Sequence, residues 1–371
     1  MHRPSLPRPS LRRLRAAVVL ALVAVLTLAA CSRREADAPA AGGAAPSAAG
    51  TPAAELRLGY FPNITHAPAL LGVANGYYQQ ELGSTKLTTQ TFNAGPEEVS
   101  ALLGGSLDAG FIGSGPAINA FAKSNGEAIR LIAGTTSGGA QLVVSPDITS
   151  PEQLKGKIIA TPQAGNTQDI AFKKWLKDNN LTNGTGPDAV TVQNIENPRT
   201  LDLFKSGQVA GGWLPEPWSS RLVDAGAKVL VDEKTLWPGG EFPTTVLIVR
   251  TQFLQEHPET VEALLRATKK SIDFANADQT QAKTVTNDSI KQLTNSALAP
   301  AVLDRAFTEL SFGIDPLAAT FPQLAKDSVT AGAAEKEPNL AGFVDVTPLN
   351  NVLTAAGQSA VDAAGLDKAQ G

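Results

Sequence analysis

Five polar turns are the segments of this sequence best suited to chemistry. Each follows a strand-like run and carries Gly, Ser, Thr, Asn or Pro at the junction. The five read PNITHAP (62–68), GSGPA (113–117), GTTSGGAQLVV (134–144), QAGNTQDI (163–170) and GGWLPEPW (211–218). The first N–H groups of a helix have no partner within that helix, so a turn that opens a helix can bind an anion. The expected chemistry is hydrogen-bonded recognition of a small anion.

The first turn places a histidine beside a helix start. Thr65 can cap the helix that Pro68 enters, because proline suits the first helical turn. His66 is then expected to point at a cleft and donate a hydrogen bond to the anion. The alternative is that Asn63 and Thr65 only shape the turn.

The second and third turns combine glycines with hydroxyl groups. Gly115 lets the backbone approach a ligand and Ser114 supplies a hydroxyl, although a tight turn without ligand contact is the alternative. A dinucleotide fingerprint does not fit, because Ile118 occupies the position of its third glycine. The third turn contributes Thr135, Thr136 and Ser137 as further candidates, and solvation of a polar loop is its alternative reading.

The fourth turn is the best anion candidate, and the fifth adds aromatic groups. Capping residues, free N–H groups and a helix dipole converge at Gly165, Asn166, Thr167 and Gln168. In the fifth turn an aromatic wall can cover an alkyl or aromatic part of a ligand. Its candidates are Trp213, Glu216 and Trp218, although Trp213 also fits a core position and Glu216 repels a plain anion unless it meets a ligand donor.

Several enzyme classes leave no signature in the sequence. Neither a G-x-S-x-G nor an H-E-x-x-H pattern occurs, and the three histidines have no metal-ligand spacing. A hydrolase is therefore only a distant alternative, and no metal or cofactor is expected. The net charge of −4, without a basic stripe, argues against a nucleic-acid partner.

The N-terminal region predicts export from the cytoplasm. Five arginines in the first fifteen residues precede an apolar run at 16–30 that is shorter than a membrane-spanning helix, which is typical of a secretory signal. The single cysteine, Cys31, follows Leu-Ala-Ala and resembles the lipidated cysteine of a bacterial lipobox. The alternative is an ordinary signal cleaved near Ala30. Residues 31–54 are rich in Ala, Pro, Gly and Ser and are expected to form a flexible tether.

The remaining chain alternates strand-like and helix-like runs, which indicates an α/β architecture. Two stretches that follow Pro96 and Pro198, 102 residues apart, align without a gap and superpose Gly110 on Gly212. This echo favours two related lobes, although two similar β-α units could match by coincidence. Ligands of open α/β sheets bind beyond the carboxyl ends of the strands, so facing lobes would enclose the polar turns in a cleft.

Four segments in order resemble the substrate-binding proteins of nitrate, sulfonate and taurine ABC importers. They are GYFPNITHAPALLGVANGYY, AGPEEVSALLGGSLDAGFIGSGPA, SPEQLKGKIIATPQAGNTQDIAFKKWL and GQVAGGWLPEPWSSRLV. The resemblance implies a two-lobed type II periplasmic-binding-protein fold with two crossover strands, placed near 142–146 and 241–246. Lobe 1 is expected to comprise 55–143 and 246–371, and lobe 2 to comprise 144–245, with the helices after His257 packed on lobe 1.

The same resemblance implies a function. The chain is expected to be a monomeric, lipid-anchored receptor that passes a small anion to ABC permease and ATPase subunits. The hydroxyl-rich turns and the aromatic wall favour an alkanesulfonate or taurine. Nitrate, bicarbonate, a thiamine precursor or a riboflavin-like heterocycle are the alternatives within the same fold.

Overall fold

The computed structural model describes residues 50–368. The predicted signal segment, Cys31 and all but the last few residues of the tether lie outside these residues. Within the described part of the chain, no helix has both the length and the apolar character needed to cross a membrane.

The first lobe is built on a mixed six-stranded sheet. Its strands and helices are β1 (Glu55–Tyr60), α1 (Ala67–Ala74), α2 (Tyr77–Leu82), β2 (Lys86–Thr91), α3 (Gly95–Leu103), β3 (Ala109–Ile112), α4 (Ser114–Lys123), β4 (Ile129–Gly138), β11 (Pro243–Arg250), α8 (Thr251–Glu256), α9 (Pro258–Ala277), α10 (Gln279–Thr294), α11 (Pro300–Thr308), β12 (Leu310–Phe312), α12 (Phe321–Thr330) and α13 (Thr347–Ala355). The strand order is β12-β4-β11-β3-β1-β2, with β1 parallel to both β2 and β3.

The second lobe repeats this plan on a second six-stranded sheet. Its elements are β5 (Ala140–Val144), β6 (Ile158–Thr161), α5 (Thr167–Asp178), β7 (Thr182–Asn183), β8 (Ala189–Asn194), α6 (Asn197–Lys205), β9 (Gly211–Pro215), α7 (Trp218–Asp224) and β10 (Lys228–Asp232). The strand order is β10-β5-β9-β6-β8-β7, with β6 parallel to β8 and β9.

The two stretches that align in the sequence form equivalent strands in the two lobes. Gly110 of β3 pairs with Gly59 of β1, and Gly212 of β9 pairs with Ala160 of β6. In each sheet an antiparallel strand follows, β11 beside β3 and β5 beside β9. Each lobe has its own apolar core because helices cover the hydrophobic faces of its sheet.

The chain passes between the lobes twice. It leaves the first sheet at Gly138 and enters the second at Ala140, and it returns between Asp232 and Pro243. Both lobe boundaries expected from the sequence therefore fall inside strands, 143/144 within β5 and 245/246 within β11. The first crossing comes early because Leu142 and Val144 contribute to the core of the second lobe.

The C-terminal helices return to the first lobe. Helix α9 packs against α1, α2 and α13. Two helices of this region also reach the second lobe, α11 against α7 and α12 against α5. These contacts close the lobes over the cleft between them.

Candidate functional site

A small polar cavity lies between the lobes where their polar turns face each other. Its volume is about 30 Å³. A site needs roughly 10–15 Å³ by this measure to hold one water, so the cavity accommodates a small polar group. Its walls are formed by Phe61, Asn63, Thr65, His66, Asn93, Gly113, Asn166, Thr167, Gln168, Asn197, Pro215, Thr244 and Thr245.

Five helices begin at this cavity. Helices α1, α3 and α4 of the first lobe and α5 and α6 of the second start within two residues of a residue that lines it. The N-terminal end of a helix carries about half a positive charge, so five such ends create a positive potential without a basic side chain. In the part of the chain that the structure describes, no Lys, Arg, Asp or Glu lines the cavity. The electrostatics therefore favour a small anion.

Hydrogen bonds join the lobes across the cavity. The N–H of Gly95 donates to Asn166 Oδ1 over 3.2 Å, and the N–H of Gly115 donates to Thr167 Oγ1 over 3.2 Å. On another side of the cavity Trp218 Nε1 donates to Asn63 Oδ1 over 3.1 Å. The lobes are thus held in a closed arrangement by residues from the predicted turns.

Two lining side chains present polar atoms that nothing satisfies. Thr245 Oγ1 and Asn197 Oδ1 are buried, and neither has a hydrogen-bond partner among the described residues. Thr167 Oγ1 accepts a bond from Gly115, so its own proton is free to point elsewhere. A buried polar group without a partner costs about 1–3 kcal/mol, which a ligand bonded to it would offset.

His66 is neutral in this environment. Burial lowers its pKa from 6.5 to about 3. Its Nδ1 accepts a hydrogen bond from the N–H of Phe61 over 3.3 Å, which leaves the proton on Nε2. As a neutral donor, His66 can bond to an anion without adding charge to the cavity.

Asp169 fixes the turn that precedes α5. Its buried carboxylate accepts hydrogen bonds from Thr161 Oγ1, the N–H of Gly165 and Asn194 Nδ2, and it pairs with Lys173 Nζ. Since Asp169 does not line the cavity, its charge is neutralised away from the site. Gly165 adopts a positive φ of 78° here, which suits glycine.

The structure brings six of the predicted site residues to the cavity wall: Asn63, Thr65, His66, Asn166, Thr167 and Gln168. Gly115 and Gly165 support this group through their N–H bonds to Thr167 and Asp169. Ser114 is buried and starts α4, but it does not line the cavity.

The three hydroxyl-bearing residues of the third turn do not line the polar cavity. Thr135, Thr136 and Ser137 line a neighbouring cavity of about 130 Å³, which shares Thr245 with the polar one. Thr136 Oγ1 donates to the carbonyl of Thr65 over 2.8 Å. Its role in this arrangement is to hold the first turn.

The three candidate residues of the fifth turn lie in three different environments. Trp213 lies in the core of the second lobe against Phe172, and its Nε1 donates to Glu233. It therefore does not line the polar cavity. Glu216 is fully buried and accepts a bond from Arg305 of α11, again away from the cavity. Trp218 lies behind Asn63 and lines a separate adjoining cavity.

Several lining residues are absent from the sequence prediction. Apart from Gly113 and Pro215, which belong to the second and fifth turns, they are Phe61, Asn93, Asn197, Thr244 and Thr245. Asn197 starts α6 beside a proline, which is a detectable helix-start signal of the kind used for the other turns. Thr244 and Thr245 lie within a strand, where the pattern of residue types does not indicate contact with a ligand.

A much larger groove between the lobes has the opposite electrostatic character. Its volume is about 880 Å³, and of the described residues only Thr167 lines both this groove and the polar cavity. Six acidic residues and one lysine line it: Asp178, Glu233, Glu241, Asp315, Asp327, Asp362 and Lys174. Burial raises the pKa of Glu233 to about 8, and the remaining acids still outnumber the lysine. This groove repels anions, so the small polar cavity is the better anion site.

Comparison with known proteins places this architecture in a family. The family model of the NMT1-like family matches residues 49–287, more than half of the chain and both lobes. The chain belongs to the NMT1-like family. The matched residues include all five polar turns. The match therefore confirms the family resemblance that the sequence analysis found in the segments around these turns.

Curated relatives cover the same region. The chain is 29% identical over 203 residues to the taurine-binding periplasmic protein of Escherichia coli K12, across 54% of this chain and 60% of that protein. It is 24% identical over 225 residues to a putative aliphatic sulfonates-binding protein of Bacillus subtilis 168, across 59% and 64% of the two chains. The matches thus span less than two thirds of these relatives.

Solved structures confirm the fold. The alkanesulfonate-binding protein of Xanthomonas axonopodis pv. citri, bound to MOPS, matches with a TM-score of 0.63 at 21% identity, over 80% of this chain and 98% of that one. The periplasmic nitrate-binding protein of Synechocystis PCC 6803 matches with a TM-score of 0.66 at 14% identity, over 82% and 89%. The two-lobed binding-protein architecture predicted from the sequence is therefore correct.

Proposed function

We propose that this chain is the extracytoplasmic solute-binding component of an ABC importer. It captures a small organic anion, an alkanesulfonate or taurine, between its lobes and delivers it as a monomer to permease and ATPase subunits. The observation that carries the proposal is the convergence of five helix N-termini, from both lobes, on a buried cavity that none of the described carboxylates lines. Such a site favours the binding of a compact anion, and it is complete only when the two lobes close around the ligand.

A sulfonate group suits this geometry. Its three oxygens accept hydrogen bonds in different directions, and donors surround the cavity on the N–H groups, on His66 Nε2 and on the hydroxyls of Thr167 and Thr245. The adjoining cavities leave room for an alkyl tail. The names of the curated relatives, taurine-binding and sulfonates-binding, agree with this choice.

Nitrate or bicarbonate is the second candidate. The volume of about 30 Å³ favours a small planar ion over a larger molecule in the closed arrangement. A thiamine precursor or a riboflavin-like ring has less support, because Trp213 lies in a hydrophobic core and provides no stacking face.

A fluorescence titration distinguishes these functions. Trp218 bonds directly to Asn63 of the cavity wall, so ligand binding and lobe closure should change tryptophan emission. Saturable changes with alkanesulfonates or taurine, with each ligand recovered unaltered, are the expected result. Saturation with nitrate or bicarbonate alone would favour the second candidate, and turnover of an ester or phosphate would favour an enzyme.

Removing single hydroxyl groups should weaken binding without harming the fold. Thr245→Val and Thr167→Val each delete one donor while keeping the side-chain shape. Each should cost about 1–2 kcal/mol of binding free energy, or roughly five- to thirtyfold in affinity by calorimetry, because a hydrogen bond to an anion is lost.

Thr286→Val is the matched control for these variants. Thr286 Oγ1 is also buried and has no hydrogen-bond partner among the described residues, but it lies in α10 and lines none of the cavities described above. Its affinity should equal that of the wild type. Equal losses in all three variants would mean that the hydroxyls affect folding rather than ligand contact.

Lipid anchoring is proposed for Cys31, which lies outside the described residues. Cys31→Ser should move the mature protein from the membrane fraction to the soluble fraction, because the thiol that carries the lipid is gone. Ligand affinity of the purified protein should not change. Fractionation followed by immunoblotting measures the first effect, and a protein that stays at the membrane would contradict the anchor.

A further inference from the structure

A second cavity opens directly beside the polar one. Its volume is about 210 Å³, and the two cavities share Asn63, Asn93 and Asn197. It lies between α7 of the second lobe and the end of α10 of the first, with Phe92, Ile290 and Leu298 supplying apolar surface. The shared asparagines form the boundary between the two cavities, so a ligand seated at the helix ends lies next to this second cavity.

One cation faces the second cavity. The Arg221 guanidinium lies 4.5 Å from the ring centroid of Trp218, within the range of a cation–π contact. Among the described residues, no carboxylate lies within ion-pair distance of Arg221, unlike Arg57, Arg266 and Arg305. Burial lowers the pKa of Arg221, but an arginine keeps its charge in proteins. A partly buried charge of this kind can be compensated by an anion from outside the chain.

Among the described residues, neither cavity offers a charged partner to an ammonium group, although the neutral acceptor Asn197 Oδ1 lines both. Within residues 50–368, no Asp or Glu lines the polar cavity or the one beside α7, whereas Glu241 and Asp315 line the cavity next to the third turn. A zwitterion whose amine extends from the helix ends would place that amine against Arg221, where like charges repel. An acidic group in the same position would pair with the guanidinium through charge-assisted hydrogen bonds.

We propose that the preferred ligand carries two acidic groups joined by a short apolar spacer. One group, a sulfonate, binds at the helix ends, and the second, a carboxylate or a further sulfonate, binds Arg221. This inference depends on the proposed function, since it assigns the chemical class of the anion captured at the same site. Arg221 is then the residue that determines specificity, and Trp218 holds its guanidinium in place.

Calorimetry with matched pairs of probes tests the ligand class. 3-Sulfopropionate should bind at least about tenfold tighter than propane-1-sulfonate, since it adds one charge-assisted pair. Taurine should bind more weakly than ethanesulfonate. Equal affinity within the first pair, or tighter binding of taurine, would overturn the inference while leaving the proposed receptor function intact.

Variants of Arg221 locate the effect. Arg221→Gln should weaken 3-sulfopropionate binding about tenfold or more and leave propane-1-sulfonate within roughly threefold. Arg221→Lys, which keeps the charge, should retain part of the preference. Arg199→Gln, at an exposed arginine of α6, is the matched control and should change neither affinity.

The outcomes separate the two claims. Equal weakening of both probes by Arg221→Gln would show that Arg221 shapes the site without selecting the second acid. If Arg221→Gln fails to fold, titrations of Arg221→Lys and of the wild type with the two pairs of probes still show whether a second acidic group strengthens binding. If no sulfonate, nitrate or bicarbonate binds the wild type, the proposed function itself fails.

Discussion

Replacing Arg305 with methionine is expected to weaken ligand binding by about two orders of magnitude. Arg305 of α11 in the first lobe donates to Glu216 Oε1 over 3.0 Å and to Ser220 Oγ over 2.7 Å, both in the second lobe. Its other nitrogen donates to Gln141 Oε1 over 2.6 Å, just beyond the first crossing. One side chain thus connects α11 to two elements of the opposite lobe.

The size of the effect follows from the burial of Glu216. Its carboxylate is fully buried, and burial raises its pKa despite the bonds from Ser220 and the charge of Arg305. Removing the cationic partner of a buried ion pair costs about 3–5 kcal/mol, because the remaining charge must be desolvated or take up a proton. Because the pair joins the two lobes, we expect the cost to fall mainly on the closed state. At 1.4 kcal/mol per tenfold, 3 kcal/mol corresponds to about 100-fold in affinity.

A variant of an ion pair within one lobe provides the control. Arg266 pairs with Glu81 on the surface of the first lobe, and such exposed pairs contribute about 0–1 kcal/mol. Arg266→Met should leave ligand affinity unchanged in the same calorimetric titration, and small-angle scattering should show that Arg305→Met is more open. If Arg305→Met lowers the unfolding temperature but binds normally, the pair stabilises the fold rather than closure.

The polar turns could be recognised from the sequence because their signals are local. A helix start is encoded within a few residues by Gly, Thr, Asn and Pro, and it carries its anion-binding potential wherever the fold places it. The order of strands and helices then sends the turns of both lobes to the same cleft. This is why the sequence predicts Asn63, His66, Asn166 and Thr167 as site residues, and all four line the cavity.

The residues missed or misplaced depend on contacts between distant parts of the chain. Glu216 meets its cation 89 positions later, in a helix whose sequence indicates only an amphipathic face. Trp213 follows two glycines, a pattern that a core tryptophan and a ligand-facing one share. Thr245 lies in a strand whose alternation does not reveal that its hydroxyl meets a cavity built mainly by other segments. Tertiary placement decides each case, and short-range patterns do not encode it.

Glu98 is a buried acid outside the binding site. It lies in the first turn of α3, fully buried, and neither carboxyl oxygen has a hydrogen-bond partner among the described residues. Gly59 and Gly110, which pair across β1 and β3, make room for it, since a methyl group at either position would overlap Oε1. Burial raises the pKa of Glu98 well above its usual 4.5, so the folded protein holds this proton more tightly than the unfolded chain does.

Glu98→Gln is therefore expected to stabilise the protein increasingly as the pH rises. Between pH 4.5 and the raised pKa of Glu98, the folded state retains a proton that the unfolded state has lost. Each pH unit in that window lowers the free energy of unfolding of the wild type by about 1.4 kcal/mol. Because glutamine does not titrate, the Glu98→Gln variant does not lose this stability. Urea unfolding at several pH values should show little difference near pH 4 and a widening gap above it.

Glu97→Gln tests whether the gap belongs to the buried position. Glu97 lies on the same turn of α3 but is exposed, so its replacement should leave the pH dependence of the unfolding free energy unchanged. If Glu98→Gln and wild type keep a constant difference from pH 4 to 8, Glu98 is ionised in the folded protein. The pocket between Gly59 and Gly110 would then have to contain donors, such as bound water, that compensate a buried carboxylate.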